Sequence, residues 1–143
     1  MAVGWACGSL CGWGAELLGS AAPEIARASN RKIVATLADL RKDADAKSFI
    51  ERAHNELGRV DIMVNNAGSA AGGVIEHLTE DDWEKGLQLK FMSYVRCLRY
   101  VLPLMVKQGG GRVVNLMRNE SVKPSYEEII PGAATAPRQT HRL

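Results

Sequence analysis

Residues 59–73 read RVDIMVNNAGSAAGG, and this stretch decides the fold of the chain. Its apolar part, VDIMV at 60–64, carries apolar side chains on both faces of an extended strand. Strands of that kind belong to parallel sheets that are covered on both faces. Asn65–Gly68 follow at the carboxyl end of the strand, where parallel α/β sheets bind ligands. Asn and Gly also favour simple turns, so a turn remains an alternative at this point.

The flanking sequence alternates between strand-like and helix-like patterns. Apolar runs predict strands over 33–38 and 113–117, and helical spacing predicts helices over 43–58 and from Thr79 to about 102. Pro103 is expected to bend or end the second of these helices. Strands that alternate with helices predict an α/β domain with a parallel sheet and right-handed crossovers.

The composition restricts the class of function. The chain has 143 residues and a net charge of +2, with its Lys and Arg scattered, which argues against nucleic-acid or membrane-surface binding. No apolar run approaches the ~20 residues of a membrane span. The cysteines, Cys7, Cys11 and Cys97, match no zinc pattern, so we expect free thiols, no metal site and a cytoplasmic location.

The stretch GRVDIMVNNAG resembles the NNAG signature of the short-chain dehydrogenase/reductase family. ADL at 38–40, TEDDW before the long helix, LPLM, and GGGRVVNL follow in the family's order. The resemblance implies a single three-layer Rossmann-like domain over 1–143, with a well-matched core over 33–117. It also implies NAD or NADP as cofactor, of unknown preference, and hydride transfer between nicotinamide and a small carbonyl or alcohol substrate.

The resemblance assigns cofactor contacts to particular residues. Asp39 and Leu40 would lie at the adenine, Asn65 would brace the sheet, and Ala67 and Gly68 would pass the adenosine ribose. CGSLCGWG at 7–14 offers Gly8, Gly12 and Gly14 at the spacing of a phosphate loop, after a short strand over 2–6. The alternative is that residues 1–20 are an unrelated start and the glycines are coincidental.

Two further features depart from the family. Residues 15–29 read as one helix, interrupted by Gly19 and Pro23, and leave no room for the family's second strand. Residues 118–143 are expected to form a divergent active-site loop and tail, and the last eight, APRQTHRL, lack the apolar continuation that the family's next helix should have. We therefore expect the domain to be incomplete at both ends, and a shortened gene product is one hypothesis.

The resemblance places four catalytic roles on residues that cannot perform them in the usual way. The serine, tyrosine, lysine and asparagine positions hold Arg118, Pro131, Thr135 and Lys90. Tyr126 and Lys90 are the candidates that could substitute. The chain is then either an oxidoreductase or a non-catalytic nucleotide-binding relative. The apolar face of the long helix would pack against a partner subunit in the family, which predicts a homo-oligomer.

Overall fold

The computed structural model describes residues 6–69 and 73–116. Within those ranges the strands are β1 (Gly8–Gly12), β2 (Ile33–Leu37), β3 (Ile62–Asn65) and β4 (Arg112–Asn115). The α-helices there are α1 (Ala15–Ser29), α2 (Asp43–Leu57), α3 (Glu80–Leu87) and α4 (Ser93–Lys107). A 3-10 turn spans Ile75–His77, and a π-helical turn, Gln88–Met92, joins α3 to α4. The Rossmann-like alternation of strands and helices that the sequence predicts is confirmed.

The chain divides into two compact units, residues 1–63 with 96–112 and residues 64–95 with 113–143. In the first unit, β1 and β2 pair in parallel, with Gly8 opposite Ile33 and Gly12 opposite Leu37. A parallel pair needs a crossover connection, and α1 provides it. β3 and β4 form a separate two-stranded sheet.

Helix α2 supplies much of the buried apolar surface of the first unit. Ala46, Phe49, Ile50 and Ala53 lie on one face of α2 and are all buried. Burial of a side chain as large as Phe49 or Ile50 contributes about 1.5–3 kcal/mol. The helix ends where the sequence predicts, because Gly58 takes a left-handed conformation, with φ of 79°, that residues with a Cβ adopt at a cost.

Two prolines lie inside helices without ending them. Pro103 does not end its helix, because α4 continues to Lys107, and the other predicted outcome, a bend at Pro103, stays a prediction. Val101 and Met105, on either side of Pro103, are buried at 0% and 3% exposure, so packing holds the helix across the missing N–H. The expected interruption of α1 is also wrong, because that helix runs unbroken through Pro23.

The glycine-rich segment at the start of the described chain is a strand. The loop predicted over 7–14 is wrong at Gly8–Gly12, because these residues hydrogen bond to β2 as strand β1. Gly8 suits this position, because a Cβ there would come within 3.1 Å of Ile33 Cδ1. Residues 2–5 of the predicted first strand lie outside the described residues.

No helix in the described ranges combines the length and the apolar character that crossing a bilayer requires.

Candidate functional site

The carboxyl end of β2 carries a carboxylate held by a neighbouring arginine. Arg41 donates from Nε to Asp39 Oδ1 at 2.8 Å and from Nη2 to Asp39 Oδ2 at 2.9 Å. The backbone N–H of Arg41 also donates to Oδ1, at 3.1 Å. These hydrogen bonds hold the pKa of Asp39 below its usual value. Asp39 Oδ1 therefore accepts two hydrogen bonds from Arg41 and Oδ2 accepts one, so Oδ2 has more capacity to accept from a ligand.

Leu40 follows Asp39 and is buried, with 8% of its surface exposed. Its carbonyl accepts a 3.5 Å hydrogen bond from Arg96 Nη1. The backbone N–H of Asp39 donates to Asp45 Oδ2 at 2.8 Å. These bonds fix the backbone on both sides of the Asp39 carboxylate, so this end of β2 is preorganised.

Asn65 lies at the end of β3 and contacts the end of β4. Its Nδ2 donates to Asn115 Oδ1 at 2.8 Å, and its carbonyl accepts from the backbone N–H of Leu116 at 2.9 Å. Asn65 is 3% exposed, whereas Asn115 is exposed. The side-chain bond therefore ties two strand ends together at the edge where a ligand of an α/β sheet would bind.

Lys90 lies in the π-helical turn and contacts the segment that follows β3. It is buried, at 7% exposure, and its Nζ donates to the Leu116 carbonyl at 3.3 Å. The hydroxyl of Tyr94 donates to the same carbonyl at 3.0 Å. Burial raises the pKa of the Tyr94 phenol, which keeps this donor protonated at neutral pH. A Cβ built on Gly68 would come within 2.7 Å of Lys90 Nζ, so the two residues are in close contact.

The glycines that the sequence placed in a phosphate loop lie in a strand and at the start of a helix in the structure. Gly8 and Gly12 lie inside β1, and Gly14 is the N-cap residue of α1. β1 is the hydrogen-bonded neighbour of β2, and in the doubly wound order 3-2-1-4-5-6 the second strand is the neighbour of the third. By the sequence, the family's second strand would precede the strand at 33–38, which makes β2 (Ile33–Leu37) the third, so we interpret β1 as the second. This interpretation replaces the expectation that the second strand is absent.

Several predicted positions lie outside the described residues. These are Arg118, Tyr126, Pro131 and Thr135. Sequence reasoning also missed two side chains that the structure brings to the predicted residues, Arg41 at Asp39 and Asn115 at Asn65. The sequence does contain a signal for Asn115. The strand-like stretch VVN at 113–115 ends in Asn, and so does the strand-like stretch that ends with VN at 64–65.

Comparisons with known proteins identify oxidoreductases as relatives of this chain. An uncharacterized oxidoreductase of Bacillus subtilis, YvrD, is 38% identical over 68% of this chain and 36% of its own length. An uncharacterized NAD-dependent oxidoreductase of Mycobacterium tuberculosis is 32% identical over 67% of this chain and 35% of its own length. Among solved structures, a short-chain dehydrogenase/reductase from Burkholderia xenovorans aligns with a TM-score of 0.81 at 28% identity, over 90% of this chain and 51% of that one.

The chain therefore spans between about a third and a half of the length of these relatives. The sequence model of the family described as short chain dehydrogenase matches residues 1–135, which is most of the chain. The match also includes the two segments whose geometry is described above, Asp39–Leu40 and Asn65–Gly68. By this match, the chain belongs to the short chain dehydrogenase family.

Proposed function

We propose that this chain binds a nicotinamide dinucleotide as part of an oxidoreductase that transfers hydride between nicotinamide and a carbonyl or alcohol carbon. Nicotinamide dinucleotides are the cofactors of the family to which the chain belongs. The observation that carries the proposal is the placement of Asn65 at the end of β3 and of residues 66–68 directly after it, with Asn65 tied to Asn115 at the end of the neighbouring strand. Ligands of parallel α/β sheets bind at this edge.

Two segments would contact the cofactor. Asp39 Oδ2 would accept a hydrogen bond from the exocyclic amine of adenine, and Leu40 would provide apolar surface beside the base. The backbone at Ala67 and Gly68 would pass the adenosine ribose. Gly8 and Gly12 have no part in this proposal, because they are paired within β1, and Gly14, the N-cap of α1, is left without the other glycines of a phosphate loop.

The chemistry of hydride transfer needs a proton donor or acceptor at the substrate oxygen. Of the two candidates, Tyr126 lies outside the described residues. Lys90 is buried and donates to a backbone carbonyl, which favours a role in holding the site over proton transfer. A second candidate function follows, that of a relative that binds the nucleotide without turnover. It is supported by Pro131 and Thr135 at the positions of the family's tyrosine and lysine, because neither side chain is an acid or a cation.

Calorimetric titration with NADH and NADPH, followed by a turnover assay with a panel of ketones and aldehydes, separates these functions. Binding with oxidation of the dinucleotide supports the oxidoreductase. Binding without oxidation supports the non-catalytic relative. If neither dinucleotide binds, both functions are excluded for this chain.

The role of Asp39 is tested with AMP and IMP, since IMP has an oxygen where AMP has the exocyclic amine. We expect wild type to prefer AMP by about two- to twelvefold, which corresponds to one hydrogen bond of about 0.5–1.5 kcal/mol, and Asp39→Ala to lose this preference. Asp61→Ala is a matched control, because Asp61 is paired with Arg59 two residues away in the same way. Equal preference for AMP in wild type and Asp39→Ala would rule out the adenine contact.

A further inference from the structure

Lys90 is an unusual residue at this place in a helix. Lysine is among the residues that are almost never fully buried unless paired, yet only 7% of Lys90 is exposed. Its ammonium is bonded to the Leu116 carbonyl and lies 5.8 Å from the centre of the Tyr94 ring. It occupies a π-helical turn, a geometry that often marks a functional position in a helix.

The side-chain stem of Lys90 crosses over Gly68. A methyl group on Gly68 would lie 3.0 Å from Lys90 Cε and 2.7 Å from Nζ, and closer still to Cδ. Gly68 is not among the glycines with positive φ, so its backbone conformation does not demand glycine. The steric reason for a glycine at this position is therefore the lysine stem that lies against it.

We infer that the Lys90 stem, which lies against one side of the otherwise exposed Gly68, competes with the nucleotide for that side of the backbone, so that Lys90 sets the affinity of the site. The inference rests on the proposed function, in which the ribose passes Gly68. Ligand and lysine stem cannot both occupy the space where a single methyl group would already be too close. A bound nucleotide therefore requires Lys90 to take another rotamer.

The surroundings limit the cost of that movement. When Lys90 withdraws, the Leu116 carbonyl keeps its 3.0 Å hydrogen bond from Tyr94 and is not left without a donor. The movement gives up the hydrogen bond from Nζ and the contact of the ammonium with the Tyr94 ring, and it exposes a flexible stem. A hydrogen bond from a charged donor corresponds to a factor of roughly 10 to 150 in an equilibrium constant.

The test compares two neutral variants that differ in stem length. Lys90→Met keeps an unbranched stem and loses the charge, whereas Lys90→Ala loses both. We expect Lys90→Ala to bind NADH about threefold or more tightly than Lys90→Met, measured by calorimetry. Lys85→Ala, which removes an exposed lysine of α3 that pairs with Asp81, is the control for loss of a charge and should bind as wild type does. Equal affinity of the two Lys90 variants, or weaker binding by Lys90→Ala, overturns the competition.

A stability cycle tests the contact without any nucleotide. Gly68→Ala should lower the unfolding midpoint of the wild type by a few degrees, because its methyl group must displace the lysine stem. In the Lys90→Ala background the same substitution should lose most of that effect. If Gly68→Ala lowers the unfolding midpoint equally in the wild-type and Lys90→Ala backgrounds, the proposed contact between Gly68 and Lys90 is refuted. If no variant binds NADH, the proposed function and the competition fail together, and this cycle still decides the contact.

Discussion

The hydrogen bond between Asn65 and Asn115 gives a prediction whose size follows from the structure. Asn115 is exposed, and substitutions of exposed residues usually change the free energy of unfolding by less than about 0.5 kcal/mol. Asn65, its partner, is only 3% exposed. Asn115→Ala would therefore leave a buried amide donor without this acceptor, which costs about 1–3 kcal/mol. We expect Asn115→Ala to destabilise far more than its exposure suggests.

A double-mutant cycle isolates this pair. Asn65→Ala removes the buried amide itself, so adding Asn115→Ala to it should cost little more. The coupling free energy should then be about 1–2 kcal/mol, obtained from urea unfolding followed by circular dichroism and linear extrapolation. Asn66→Ala, at an exposed neighbouring asparagine, is the matched control and should stay within about 0.5 kcal/mol of wild type. A coupling below about 0.3 kcal/mol would refute the reasoning, because distant, independent sites give values of that size.

Two other predictions concern a helix cap and the thiols. Thr79→Ala should destabilise by about 1 kcal/mol, because Thr79 caps α3 and forms a capping box with Asp82. The Thr79 hydrogen bonds lower the pKa of Asp82. The stabilisation is therefore present above the usual Asp pKa of 3.8 and is lost as the pH falls through the folded-state pKa. Urea unfolding measured between about pH 7 and 2 should show a smaller effect of Thr79→Ala at the acid end. Burial raises the pKa of Cys11 to about 12 and that of Cys97 to about 11, so at pH 8 both remain thiols. Iodoacetamide should label the exposed Cys7 first, as peptide mass spectrometry can show, and equal labelling of all three would contradict this assignment.

The sequence by itself determined the elements that depend on short-range patterns. The apolar face of α2 and the glycine at its end lie within 16 residues, and the capping box of α3 within four, so each is encoded where it forms. The NNAG stretch and the strand before it are likewise contiguous, and they were sufficient for the family and the fold class. For the same reason the sequence predicted that Asp39 and Asn65 would follow the carboxyl ends of strands.

Only the tertiary structure decided which residues those local elements meet. Glycines at loop-like spacing form a strand because β2, more than 20 residues later, offers its backbone for pairing. Asn65 and Asn115 are 50 residues apart, and Lys90 and Leu116 are 26 apart, so no local pattern links them. A lysine on an amphipathic helix is expected in water, and Lys90 is enclosed because Gly68, Tyr94 and the end of β4 surround it. Strand partners and the enclosure of a long side chain depend on such distant contacts, and these exist only once the chain has folded.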